Sequence, residues 1–433
     1  MTLQPTKLAN SLPVIRIPMK GVESLTVMAL VNTGARFEPK GKEGLAHFLE
    51  HIVFKGTKKF PSAQLLAATV DGLGADFNAF TNHEYTGYYV KAAAKHLPIA
   101  LDVVSELLLA PAIRPADVER EKSVIAEEIN MYHDAPARHI GNLFGQMIYQ
   151  GSSLGHDVVG TKQSVNTITS ADFRAFMSQW YGLPNMVLVL AGKARVVENP
   201  ATLSLVEEMF DKERGERQEA HQDIRPFLAD EKLSKTRLKL EFRQTQQAHF
   251  VLGWPGLKRG HPDRYVLSVL ATALGGNMSS RLFTEVREKR GLCYYVHSEV
   301  DQYHDKGILG VAAGVDPDRI IEAIQVSASV FQEIASGRQK LTKTELKRAQ
   351  EYLIGKLVLN MEDSDFMAQF AGLRQILLNE VMTPKETMAK IQAVTLEQVT
   401  DLAARLIKPG QARLALIGPY QDERTFMDLI KGL

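Results

Sequence analysis

Between residues 24 and 32 apolar side chains fall on both alternations of the chain: Leu25, Val27, Ala29 and Val31 on one, Met28 and Leu30 on the other. That pattern predicts a strand covered on both faces. At 43–54 the period changes to that of a helix, with Leu45, Phe48, Leu49 and Ile52 on the buried side. The aromatic-rich stretch 76–90 (Phe77, Phe80, Tyr85, Tyr88, Tyr89) predicts strands or a hairpin. A long helix follows at 116–132, with acidic residues near its start.

The pattern then repeats. Ile168-Thr169-Ser170-Ala171-Asp172-Phe173, a helical stretch, Pro184 and an apolar strand ending at Gly192 have a counterpart near the C-terminus. There Val394-Thr395-Leu396-Glu397-Gln398-Val399 leads through Pro409 to a strand ending at Gly418, an offset of 226. Pro115-Ala116-Asp117-Val118-Glu119-Arg120 and Lys343-Thr344-Glu345-Leu346-Lys347-Arg348 each open a helix, at an offset of 228. Two matches at nearly one offset predict a duplicated α+β unit. The expected organisation is an N-terminal domain at 1–212, an exposed charged linker at 213–235 and a C-terminal domain at 236–433.

Composition narrows the function classes. The 433 residues carry a net charge of +1, which provides no overall field for a nucleic acid or an anionic membrane. The single cysteine, Cys293, rules out a disulfide framework and a multi-cysteine zinc site, and reads as a buried thiol. The N-terminus lacks the basic and apolar regions of a secretory signal, and no apolar run reaches the 18 or so residues of a membrane span. The expectation is a soluble cytoplasmic protein.

His47-Phe48-Leu49-Glu50-His51 is the strongest chemical signal. On a helix His47 and His51 lie about 40° apart and one turn apart, so two imidazoles grip one metal ion, while Glu50 sits about 60° to the other side of His47. A hydrolytic zinc needs a third protein ligand and one open position. Glu128 is the best placed, sharing a helix face with Glu121 seven residues earlier; Glu127, about 100° away, is the alternative. His83, His96, His133, His139 and His156 fall on no ligand spacing.

H-x-x-E-H followed by this E-x₆-E helix resembles the inverzincin zinc peptidases of the pitrilysin and mitochondrial processing peptidase family, over essentially the whole chain. The resemblance implies two homologous α/β-roll domains, each a mixed, mainly antiparallel sheet flanked by helices. It implies one Zn²⁺ per chain on His47, His51 and Glu128, with Glu121 orienting a ligand. Glu50 would be the general base in hydrolysis of short or unfolded peptides by a zinc-activated water. Arg287 and Tyr294, in the stretch from Gly275 to Tyr294, match the family's Arg/Tyr pair, which would donate to the substrate carbonyl as it becomes an oxyanion. Read alone, Gly275-Gly276 is a helix C-cap and Arg287 a solvated charge. Asn78, Ala79, Phe80 and Thr81 match a substrate-binding edge strand to which a peptide adds through its main chain; an ordinary edge strand has the same pattern.

The second copy has no zinc ligands: 265–274 reads Y-V-L-S-V-L-A-T-A-L, and Lys356 stands where Glu128 would be. Family members of this length act as dimers around a chamber. A homodimer is expected here, with a heterodimer with a related subunit as the alternative. The rival function is a non-catalytic, peptide-binding or structural partner subunit.

Overall fold

The computed structural model describes residues 3–210 and 233–433, so the expected linker at 213–235 lies, but for 233–235, outside the described residues. Two sheets organise the chain. In the first, strands β1 (Thr6–Lys7), β2 (Pro13–Met19), β3 (Ser24–Val31), β4 (Asp76–Thr81), β5 (Thr86–Ala93) and β6 (Met186–Lys193) lie in the order β1-β2-β6-β3-β5-β4. In the second, β7 (Leu238–Phe242), β8 (Ala248–Pro255), β9 (Cys293–Gln302), β10 (Gly307–Val315) and β11 (Arg413–Gly418) lie in the order β7-β11-β8-β10-β9.

The duplication is visible in strand sense. β2 runs parallel to β6, and the remaining neighbours β6-β3-β5-β4 are antiparallel. β7 likewise runs parallel to β11, and β11-β8-β10-β9 are antiparallel. The helices before β6 and β11 start alike: Thr169 and Thr395 each close a capping box, with Asp172 and Gln398 respectively. In this box the N-cap hydroxyl takes an orphan helix N–H while the N3 side chain takes the N-cap N–H.

Residues 3–130 and 156–210 with Leu359–Pro384 form one compact unit, and Met131–Gly155, 233–358 and Lys385–Leu433 form another. In the first unit β3 is buried on both faces. Leu25, Val27, Ala29 and Val31 face a core filled by α1 (Leu45–Val53), α2 (Ala63–Asp71), α3 (Leu97–Leu109) and α4 (Pro115–His133). Met28 and Leu30 face a second cluster with Met367, Ala368 and Ala371 of the helix Ser364–Leu378. Contact is close enough there that a Cβ at Gly372 would lie 2.5 Å from Leu30 Cδ1.

In the second unit the corresponding sheet face (Val251, Ile308, Ala312, Ala415, Ile417) is covered by Ile140, Leu143, Phe144 and Met147 of α5 (Pro136–Ile148). Each unit therefore takes one helix from the other half of the sequence, and the contiguous ranges 1–212 and 236–433 do not coincide with the packing units. A sheet with two apolar faces needs two covering layers, and here the second layer is distant in sequence. Among the described residues no helix is long and apolar enough to cross a membrane.

Candidate metal centre

The start of α1 is set by its backbone. Gly44 at the N-cap has φ +94°, and a Cβ there would sit 2.7 Å from the carbonyl oxygen of Val159; only glycine meets both demands. The Glu38 carboxylate accepts from the main-chain N–H of Gly44 (2.9 Å) and of Ala46 (2.7 Å), satisfying donors the helix cannot. Leu45, Phe48, Leu49 and Ile52 then point into the core, and Phe48 meets Phe173 edge-on with ring centroids 5.1 Å apart. With that face anchored, His47, Glu50 and His51 fall on the remaining face.

His47 Nε2 lies 3.6 Å from Glu128 Oε1, and His51 Nε2 lies 3.3 Å from Glu128 Oε2. The ligand atoms of His47, His51 and Glu128 all lie within 4.8 Å of one another. Those two separations exceed the usual hydrogen-bond range of about 2.7–3.2 Å. They run to different oxygens of the one carboxylate, and each is close to the separation of about 3.4 Å between two ligands on a tetrahedral zinc with bonds of about 2.0–2.1 Å. Two imidazoles and one carboxylate are also the donor set of a hydrolytic zinc with an open fourth position. The residues fit the ion. Glu127 bonds instead to Asn130 (3.3 Å), on the same helix.

Behind the ligands, His51 Nδ1 lies 3.1 Å from Glu121 Oε1, and Lys55 Nζ lies 2.7 Å from Glu121 Oε2. An Nδ1–H donated to Glu121 leaves the His51 Nε2 lone pair for a metal. Burial works against a charge on His51, but Glu121 and Glu128 outweigh it and push its pKa up to about 9 in the metal-free protein. Glu128 is held well below the usual carboxylate range, by His47 first and then His51. Burial raises the Glu121 carboxyl, but His51 and Lys55 outweigh it and leave it lowered.

Glu50 accepts a hydrogen bond from Thr81 Oγ1 at 2.6 Å. Thr81 ends β4, which among the described residues pairs only with β5 and is the outer strand of its sheet, so Asn78, Ala79, Phe80 and Thr81 do lie on an edge. In the second unit Arg287 and Tyr294 are together: Arg287 Nη1 donates to the Tyr294 carbonyl at 2.8 Å, and the guanidinium stacks over Phe283 at 5.0 Å. The Tyr294 side chain is exposed. Gly276 is the C-cap of the helix Arg264–Gly275, as its sequence suggests. Cys293 is half-buried rather than buried, and burial pushes its thiol up to about 11.

Three features carried no readable signal. Lys55 and Glu38 are single charges whose partners are distant in sequence. His133 and His139, six residues apart, gather with Glu241 because the chain breaks helix between α4 and α5. His139 Nε2 is 3.0 Å from Glu241 Oε2, but Arg243 bonds both Glu241 and His133 Nε2, the latter at 2.8 Å. A guanidinium already engages two of the three residues of this second group.

Residues 18–162 match the family model described as Insulinase (Peptidase family M16), and 167–353 match the Peptidase M16 inactive domain. The chain is 34% identical over 425 residues to a protein of Streptomyces coelicolor named an uncharacterized zinc protease, covering 98% of this chain and 91% of that one. A Bacillus subtilis protein of the same description is 34% identical over 399 residues, covering 92% and 94%. The fold matches the crystal structure of a protease from Helicobacter pylori with a TM-score of 0.87 at 22% identity, over 96% of this chain and 99% of that chain. The chain belongs to the M16 (insulinase) family of peptidases.

Proposed function

We propose that this protein is a zinc-dependent endopeptidase or oligopeptidase acting on short or unfolded peptides. The observation that carries the reading is the spacing of His47, His51 and Glu128 at zinc ligand–ligand distances, with the Glu50 carboxylate one residue from the ligand His51. Zinc held there supplies a Lewis acid that polarises a carbonyl and makes water more acidic. Glu50 takes the proton from the attacking water on the carboxylate oxygen not bonded to Thr81, and returns it to the departing amine nitrogen. The outer edge of β4 offers main-chain donors and acceptors, so affinity depends little on substrate side chains. Arg287 and Tyr294 donate to the developing oxyanion.

The family name "inactive domain" on 167–353 agrees with a second copy free of zinc ligands. One chain carries both the zinc residues and the Arg/Tyr pair, so a homodimer suffices to supply both; a heterodimer with a related subunit is the alternative. Metal analysis with a peptide digest tests the reading. Near-stoichiometric zinc and chelator-sensitive cleavage of an unstructured peptide, abolished by Glu50→Gln, supports it. Zinc-free protein that binds peptide without cutting it supports a non-catalytic partner subunit. If the sites are composite, mixing Glu50→Gln and Arg287→Ala chains restores activity that neither homodimer has.

A further inference from the structure

Glu50 is the proton acceptor in this reading, and among the described residues it accepts a hydrogen bond from Thr81, on the strand that would carry the substrate. The bond length, 2.6 Å, lies in the range of charge-assisted O–H···O⁻ contacts, about 2.5–2.7 Å. The chain that carries this hydroxyl is tied to its neighbours. Immediately after Thr81, the carbonyl of Asn82 accepts from Ala35 N–H (3.1 Å) and that of His83 from Arg36 N–H (2.8 Å). Gly34 passes so close that a Cβ would lie 2.0 Å from the Asn82 oxygen. The buried Arg36 guanidinium grips buried Glu84 at 2.6 Å. Thr86, opposite Thr81 in the β4–β5 register, donates to the Thr33 carbonyl at 2.9 Å. The end of β4 is therefore tied on both strands.

We propose, resting on the peptidase reading, that Thr81 is a positioning residue for the general base. Its hydroxyl binds one oxygen of the Glu50 carboxylate, fixes the plane of that group and leaves the other oxygen as the proton acceptor. Because the same residue ends the edge strand, the base and the peptide-binding edge share one frame. A peptide laid along β4 is registered against Glu50 without touching it. Displacing a catalytic group by about 1 Å costs up to about a hundredfold in rate, which sets the scale for losing this bond.

The test compares Thr81→Val, which keeps shape and loses the donor, with Thr81→Ser, which keeps the donor. For zinc-loaded Thr81→Val, kcat falls by about ten- to a hundredfold while KM and zinc content stay within about twofold. Thr81→Ser recovers most of kcat. Crystal structures supply a readout independent of turnover: Glu50 rotates away from its wild-type position in Thr81→Val and keeps it in Thr81→Ser. Thr81→Val with wild-type kcat, or with Glu50 unmoved, overturns the proposal. A wild-type protein that is loaded with zinc but cuts no peptide refutes the peptidase reading instead, and the Glu50 position in the variants still decides whether Thr81 holds it.

Discussion

Replacing Glu121 by glutamine tests the zinc assignment at a residue that touches no metal. Glu121 is 4% exposed, with His51 Nδ1 at 3.1 Å on one oxygen and Lys55 Nζ at 2.7 Å on the other. The amide oxygen of glutamine can still accept from His51, so the imidazole keeps its orientation. The negative charge is lost, however, and the amide NH₂ is left facing the Lys55 ammonium, donor against donor. Hydrogen bonds to charged groups contribute about 1.5–3 kcal/mol, and outer carboxylates of this kind change metal affinity by about 10–100-fold, or about 1.4–2.7 kcal/mol. With His51 still an acceptable ligand, Glu121→Gln should weaken zinc about tenfold and Glu121→Ala should approach a hundredfold. Glu128→Gln, which removes a ligand outright, should be weaker still. Competition against a chelating dye at fixed pH measures all three. Glu121→Gln binding zinc within threefold of wild type would falsify the assignment of His51 Nε2 as ligand with Nδ1 on Glu121.

The metal-free site makes a pH prediction of definite sign. His51 has a folded-state pKa of about 9 against an ordinary 6.5, so its protonated form stabilises the apo fold fully below about pH 6.5 and that contribution disappears as pH rises through about 9. Apo Tm should fall across that window and zinc-loaded Tm should not; a parallel fall in both would contradict it. Zinc uptake at pH 7 should release a proton, seen as a dependence of calorimetric enthalpy on buffer ionisation; its absence would mean that His51 is already neutral. Breaking the buried Arg36–Glu84 pair by Arg36→Met should cost about 3–5 kcal/mol in urea unfolding, because it takes the guanidinium away from a buried carboxylate. A loss under about 1 kcal/mol would show that the Glu84 carboxylate does not depend on Arg36. Glu38→Ala removes acceptors from two main-chain donors at the start of α1, an effect of about 1–3 kcal/mol. It should lower zinc affinity as well as Tm, and an effect on neither would exclude Glu38 from setting the helix start.

Much of the chemistry was local and so readable. Helical spacing alone put His47 and His51 on one face, and the period of Glu121 and Glu128 put two carboxylates on another. The double-sided apolar pattern of β3 likewise announced two covering layers. What covers the second face was not readable, because Ser364–Leu378 has no sequence mark tying it to Met28 and Leu30 rather than to its neighbours in the chain. Lys55, and the bond from Thr81 to Glu50 as distinct from the place of Thr81 on the edge strand, carry no local mark for a related reason: a lysine after a helix and a threonine at a strand end gain these roles only from Glu121 and Glu50 across the fold. The pair His133 and His139 lacked helical ligand spacing because the break between α4 and α5, not a helix period, brings the two rings together.

The exchanged helices bear on how the molecule is made. When a ribosome has released the first 212 residues, every strand of the first sheet exists, yet Ile15, Ile17, Met28, Leu30, Val187 and Val189 still lack the layer that comes from 364–378. An apolar surface of that kind invites self-association while it waits. The nascent chain must therefore shield it until synthesis is nearly finished, and a gene cut between the two copies should yield halves that are insoluble apart and soluble when produced together.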